Sequence, residues 1–365
     1  MARTKKVKSK SVKNSKRKVK NGEGFNWKVP VIFLAGIIAV GLIVNSLNIV
    51  TPVSSEGAIT LYVLTDSSCP VCDSSWIEPR VELDFANVET HYVDVNTPEG
   101  QEFVNELSIT SLPAAFFASD VQDAGNFTLY SDNYWIIPIS DYYLLNIQGT
   151  KSLVRDETNT PTIDLFVMSE CPYGKPAQQT MINAMDTISG FDLNIHYIGN
   201  VYTAAQWNAL SDDYKNYYQS YGMCEQKNDT KYYCSLHGPE EVENDIAQLC
   251  AMKYYNNWTD FITAHINNDM NISKTIQNMG YNETLMNECI NSEIGWNLYA
   301  EDILVADELS VSSSPTYVFD NVIIGTSSAL SLTNGPLGLL CSLHNALSGC
   351  ENIDSIQVAQ ATGSC

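Results

Sequence analysis

The sequence predicts an α/β protein built twice on one plan, with a helical insertion in the second copy and one apolar span ahead of both. Three observations predict this. Two β-rich runs, Ala58–Leu64 and Ile163–Met168, each lead into a Cys-Pro turn, Cys69-Pro70-Val71-Cys72 and Cys171-Pro172-Tyr173-Gly174. Each copy later places an X-Pro pair just before another β-rich run, Leu112-Pro113 before Ala114–Phe117 and Ser314-Pro315 before Thr316–Phe319. An uncharged stretch from Val29 to about Val50 follows a strongly basic head.

Charge is divided unevenly. Residues 1–28 hold eleven of the 20 Lys/Arg and one of the 42 Asp/Glu, which leaves the remainder at a net −32. So acidic a body repels phosphate backbones, so nucleic acid is not an expected partner. The basic head instead reads as an orientation signal for the apolar span, which is about long enough to cross a bilayer. A cleavable signal peptide is the competing reading of the same segment. The expected layout is a basic cytoplasmic tail (1–28), a transmembrane signal anchor (29–50) and extracytoplasmic domains, a single-pass cell-membrane protein. All ten Cys lie beyond the span, and five Asn-x-Ser/Thr sequons stand at Asn126, Asn228, Asn257, Asn271 and Asn282. Both suit an oxidising, glycosylating compartment.

The elements follow in order. After a short linker at 51–57 comes the strand Ala58–Leu64, then the Cys69 turn, a strand over Val88–Val95, and the strand after Pro113. The polar stretch 150–161 marks a boundary. The second copy opens with Ile163–Met168 and the Cys171 turn, continues with a strand over Leu193–Ile198, and reaches its X-Pro strand only about 115 residues later. That interval holds helical stretches at 239–255 and 283–309 and four Cys, which reads as an inserted helical subdomain. The expected domains are 51–150 and 151–352, with a tail at 353–365.

Cys69 and Cys72 are the strongest chemical feature. Two intervening residues let both sulfurs meet when a helix starts at the first. There the thiolate of Cys69 would face unpaired N–H groups and the positive helix end, which lowers its pKa. Cys69 is then the nucleophile and Cys72 the resolving thiol. A structural disulfide and half of a zinc site are the competing readings. The zinc reading lacks a second Cys-x-x-Cys, and His91 is the only His of the first copy. No metal or cofactor is expected.

Strand, Cys turn, helix, strand and X-Pro strand together resemble the thioredoxin fold, and the chain resembles two tandem thioredoxin-like domains. The resemblance implies cis bonds at Pro113 and Pro315 and a position for the preceding residue beside the active cysteines. An ordinary trans Pro at a strand start is the alternative. Cys171 stands where Cys69 does, but Gly174 occupies the resolving position, so Cys171 reads as a monothiol, a partner for a distant Cys, or a relic. The stretch Cys234-Ser-Leu-His237-Gly238-Pro-Glu-Glu241, ending at Cys250, resembles the signature of the gamma-interferon-inducible lysosomal thiol reductases. More broadly, residues 160–352 look DsbA-like. The departures are one extra residue before His237, Val242 in place of a Cys, and Asp245 in place of an Asn. His237 reads as a turn or cap element or, with Cys234, as a metal ligand.

Sequence does not determine the connectivity of the remaining cysteines. Proximity suggests Cys224–Cys234, Cys250–Cys289 and Cys341–Cys350, leaving Cys171 and Cys365 outside these pairs. The function expected is thiol–disulfide exchange on exported cysteine-containing proteins, with Cys69, Cys72, Pro113, Cys171 and Pro315 as site residues. Electrons would pass to a membrane partner or a small thiol. A non-catalytic, disulfide-stabilised binding module and metal delivery through the Cys pair are the competing classes.

Overall fold

A computed structural model describes residues 58–359 except 228–229, 326–329, 332 and 334, and all of these fall within one compact unit. The first half runs β1 (Ile59–Thr65), α1 (Ile77–Glu82), β2 (Val88–Asp94), α2 (Pro98–Glu106), β3 (Ser111–Leu112), β4 (Ala114–Phe117), α3 (Phe127–Asp132), β5 (Ile136–Ile139), β6 (Tyr142–Leu145) and β7 (Lys151–Ser152). Its sheet has the order β2-β1-β4-β6-β5, with β1 parallel to β2 and antiparallel to β4. The strand β1 alternates buried and half-buried residues until Val63 and Leu64, both fully buried. This places one apolar cluster on each sheet face, Ile59, Leu61, Val63, Phe85 and Phe117 on one and Leu64, Phe103, Leu107 and Phe116 on the other.

The second half begins with β8 (Thr162–Val167), α4 (Gly174–Met185) and β9 (Asp192–Tyr197), again a parallel pair joined by a helical crossover. A small sheet of β10 (Asn200–Thr203), β11 (Cys224–Lys227) and β12 (Lys231–Cys234) follows, with α5 (Ala204–Ala209) and α6 (Asp212–Ser220) between its first two strands. Five helices come next: α7 (Pro239–Tyr254), α8 (Trp258–Asn267), α9 (Ile272–Met279), α10 (Glu283–Ile290) and α11 (Glu293–Glu308). The helix expected over 283–309 is two, because Ser292 turns the chain out of α10 and caps α11, its Oγ accepting from Ile294 N–H at 3.2 Å. The chain then returns through β13 (Thr316–Phe319), β14 (Ile323–Ile324) and α12 (Pro336–Leu343).

The second sheet has the order β3-β7-β14-β13-β8-β9. It therefore ends on a strand from the first half. The polar stretch at 150–161 supplies β7, which pairs with β3 on one side and with β14 on the other. Thus the same plan appears twice, a central strand with a parallel and an antiparallel neighbour, and the segment between the copies is itself sheet.

The expected single-pass membrane placement is corrected. Among the described residues no helix is long and apolar enough to cross a membrane. The longest, α7 and α11, have 16 residues each and carry several Asp and Glu, whereas a span needs about 20 apolar residues. Residues 29–50, on which that expectation fell, lie outside the described residues. The glycan expectation also finds no support. Asn126 donates its Nδ2 to the carbonyl of Asp84, and Asn271 and Asn282 cap α9 and α10 with their side chains.

Candidate redox site

The strand β1 ends at Thr65, and the next residue, Asp66, organises the turn that carries the first Cys pair. Its Oδ1 accepts from Ser68 N–H at 2.9 Å and from Ser68 Oγ at 2.6 Å, while Asn96 Nδ2 donates to it at 3.1 Å. Its Oδ2 meets Lys151 Nζ at 2.9 Å. Burial works to raise the Asp66 pKa, but the hydrogen bonds from Ser68, Lys151 and Asn96 outweigh it and hold the carboxyl at about 2. The Asp66 carbonyl accepts from Cys69 N–H at 3.1 Å, which brings the turn round to the cysteines.

Cys69 and Cys72 form a disulfide of 2.02 Å. Cys72 is 8 % exposed and Cys69 is half-buried, so Cys69 is the more accessible residue of the pair. Val71 and Cys69 pack against the apolar core of the second half. The helix expected to begin at Cys69 does not. It starts at Ile77, because Asp73 Oδ1 accepts from Ser75 N–H at 2.9 Å and holds residues 73–75 in a turn. The helix-end stabilisation expected for the Cys69 thiolate is therefore absent.

A helix does begin beside Cys171. Its carbonyl accepts from Lys175 N–H at 3.1 Å as α4 begins at Gly174. Cys171 is 1 % exposed, and its thiol points at the Ser314 carbonyl at 3.7 Å. The Leu112-Pro113 and Ser314-Pro315 bonds are both cis. Gly174 stands where a second cysteine would resolve an exchange, and the space explains why nothing larger sits there. A Cβ on Gly174 would come within 2.6 Å of the Met168 carbonyl and 2.8 Å of Ser314 Oγ.

The stretch with the reductase-like signature packs against the Cys171 loop. In the buried helix α7, Glu241, Asp245 and Gln248 recur at helical spacing and form a polar stripe. Glu241 accepts from Glu170 N–H at 2.8 Å, from His237 Nδ1 at 2.9 Å and from the Ser235 hydroxyl. The Glu241 hydrogen bond, opposed by burial, raises the His237 pKa. Asp245 accepts from Ser169 N–H, two residues before Cys171, at 3.1 Å, and burial pushes its carboxyl well above the usual carboxylate range. Gln248 accepts from Tyr197 OH at 2.6 Å and from Gln178 at 3.0 Å. His237 is thus a partner of Glu241 ahead of the helix start, and Cys234 is bonded to Cys224, which removes it as a metal ligand beside His237. The Cys250–Cys289 and Cys341–Cys350 bonds complete the pairings suggested by proximity, and Cys365 lies outside the described residues.

Of the expected site residues, Cys69 and Cys72 stand together, with Pro113 where the chain enters β4 opposite the end of β1. Cys171 and the loop before Pro315 stand together at the end of β8. Sequence reasoning missed Gly149 and Lys151, and it named Glu241 and Asp245 only within the reductase-like signature, without a contact to the Cys171 loop. Only the stripe in α7 left a signal, as polar residues at i, i+4 and i+7 in an otherwise buried helix.

No family model and no curated protein matches the chain. Solved structures do show likeness. A cytosolic disulfide reductase, DsbM from Pseudomonas aeruginosa, is 14% identical over 43% of this chain and 83% of that one, with a TM-score of 0.28. The thiol-disulfide exchange protein α-DsbA2 from Wolbachia pipientis is 12% identical over 56% and 84%, at 0.33. The oxidoreductase DsbA from Xylella fastidiosa is 9% identical over 53% and 91%, at 0.32. These similar structures are DsbA-like thiol–disulfide oxidoreductases, and the narrower gamma-interferon-inducible resemblance is not shown by them.

Proposed function

We propose that this chain is a thiol–disulfide oxidoreductase whose turnover runs through Cys69 and Cys72, with the Cys171 half binding or positioning the partner. One observation carries this reading. Three of the four disulfides among the described residues join separate pieces of architecture: β11 to β12, α7 to α10, and α12 to the turn after it. The Cys69–Cys72 bond has a sequence separation of 3 and joins no two elements. Loop-closure stabilisation is least for so short a loop, so this bond adds little as a staple.

The chemistry is ordinary exchange. A partner thiolate attacks Cys69 Sγ, the Cys69–Cys72 bond breaks, and Cys72 leaves as a thiolate that takes up a proton. A second partner thiolate then attacks the partner sulfur of the mixed disulfide. The partner leaves oxidised as a disulfide, and both cysteines are reduced. Run in reverse, the same steps oxidise a dithiol. The DsbA-like fold and the reductase-like signature around Cys234–Cys250 support the class, with cysteine-containing proteins and small thiols as the kinds of partner.

The test is catalysis by the full chain of 2-hydroxyethyl disulfide reduction by dithiothreitol and of oxidation of a reduced dithiol peptide. Cys69→Ser should lower turnover by at least about 100-fold. Cys171→Ser should retain most of it. A folded chain that accelerates neither direction would sink the proposal. Loss on Cys171→Ser with retention on Cys69→Ser would move the chemistry to the second half.

A further inference from the structure

The edge of backbone beside the Cys69–Cys72 turn is occupied by the chain itself. The strand β4 enters the first sheet at Ala114, opposite Leu64, which places Pro113 and Leu112 next to the end of β1 and the turn that follows. Leu112 is the last residue of β3, and its carbonyl faces the segment 149–153. Its carbonyl accepts from Thr150 N–H at 2.6 Å, and the Thr110 carbonyl accepts from Leu153 N–H at 2.8 Å. The register pairs Leu112 with Lys151 and Ser111 with Ser152.

Two further contacts hold this segment down. Gly149 lies so close that a Cβ there would sit 2.7 Å from Leu112 N and 2.7 Å from the Ser111 side chain. Lys151 reaches from the segment to Asp66, the residue that shapes the Cys turn. The other edge of the segment is taken as well, since Ile324 N–H donates to the Thr150 carbonyl at 2.6 Å and Ser152 N–H to the Val322 carbonyl at 2.7 Å.

An extended polypeptide docks on a sheet by adding a strand to an open edge, with main-chain hydrogen bonds supplying the affinity. Here the edge that would hold such a strand against Cys69 is already paired. We infer that residues 149–153 act as a strap that determines specificity: they deny strand-like docking beside Cys69 and restrict the disulfide to small thiols and to cysteines that approach without backbone pairing. This deepens the exchange proposed for Cys69 and Cys72 and rests on it. The steps balance as written above, two small thiols giving one small disulfide and the reduced pair.

The experiment uses the full-length chain with Cys69–Cys72 oxidised and follows its reduction by alkylation and mass measurement. Three reductants are compared: dithiothreitol, a ten-residue peptide with one central cysteine, and the same peptide N-methylated at alternate backbone positions. For the wild type, the two peptides should react within about twofold of each other, because no backbone pairing is on offer. In Lys151→Ala and Gly149→Ala, the unmethylated peptide should gain about tenfold over its methylated twin. A wild-type chain that prefers the unmethylated peptide by about tenfold would overturn the strap outright, whether or not the variants fold. Folded variants in which the two peptides remain equal would also overturn it. Failure of dithiothreitol to reduce the pair in the folded chain would instead remove the exchange reading, and the strap with it.

Discussion

At the scale of single residues, the two Cys turns divide the features that one redox site would combine. Cys69 has the partner sulfur and the exposure, whereas Cys171 has the helix start. Gly174 is where the difference was settled. An alanine in a helix is worth up to about 1 kcal/mol over glycine. A Cβ at 2.6 Å from the Met168 carbonyl meets backbone, which cannot swing aside as a side chain can, and overpacking of this kind costs about 1–3 kcal/mol. The clash should win. Gly174→Ala is expected to lower the urea midpoint of unfolding, and a variant as stable as the wild type would show that the Cys171 loop gives way. The same contact means that Gly174→Cys does not simply restore a second cysteine pair. The residues Cys69, Cys72, Pro113, Cys171 and Pro315 were legible because each signal lies within a few positions along the chain. Lys151 was not, because its partner Asp66 is 85 residues away and a lysine in a polar stretch carries no mark of its contact.

At the scale of elements, the helical insertion depends on its staples to different degrees. The Cys250–Cys289 bond ties α7 to α10 across a separation of 39, and both sulfurs are buried. The Cys341–Cys350 bond closes a separation of only 9. Chain entropy assigns about 4 kcal/mol to the first and about 2.5 kcal/mol to the second. Paired Cys→Ala replacements should therefore lower stability in that order in calorimetry, with an equal or reversed order contradicting the entropic account. The α7 stripe shows what was readable at this scale. The helix was expected over 239–255 and found at Pro239–Tyr254, since proline at its first position and the apolar residues Val242, Ile246 and Leu249 at helical spacing announce it. That Glu241 and Asp245 cradle the Cys171 loop needed α7 to meet Ser169 and Glu170, and Gln248 to meet Gln178 of α4.

At the scale of the whole molecule, two buried histidines set opposite limits on the pH range of stability. His196 lies 3.0 Å from Asp302 and 3.8 Å from Asp164. Burial lowers its pKa, but the hydrogen bonds to Asp164 and Asp302 outweigh it and hold it at about 9, above the unfolded value of 6.5. Its contribution is fully present below 6.5 and is lost as pH rises through 9. His265 is fully buried, and burial depresses its pKa to about 4. For this base the neutral form is the folded form, so its contribution is present above 6.5 and is lost as pH falls through 4. Each shift amounts to no more than about 3.5 kcal/mol. Stability should therefore peak near pH 6–7. His196→Gln should flatten the alkaline fall, His265→Gln the acid fall, and urea melts across pH 4–10 measure both. A slope unchanged by either variant would assign the pH dependence to other groups.

The sequence by itself determined the local pieces: the strands that run into each Cys turn, the X-Pro strands and the helix that opens the insertion's helical run at Pro239. Periodicity, turn chemistry and short spacings are written within a few residues of where they act. Only the tertiary structure decided that the Cys69 turn is not a helix start, that Cys171 is buried under α7, and that residues 149–153 lie as a strand between the two halves. The physical reason is that these outcomes depend on which backbone edges and buried acids meet across long stretches of chain. Hydrogen bonds between Leu112 and Thr150, or between Ser169 and Asp245, leave no pattern in either segment taken alone.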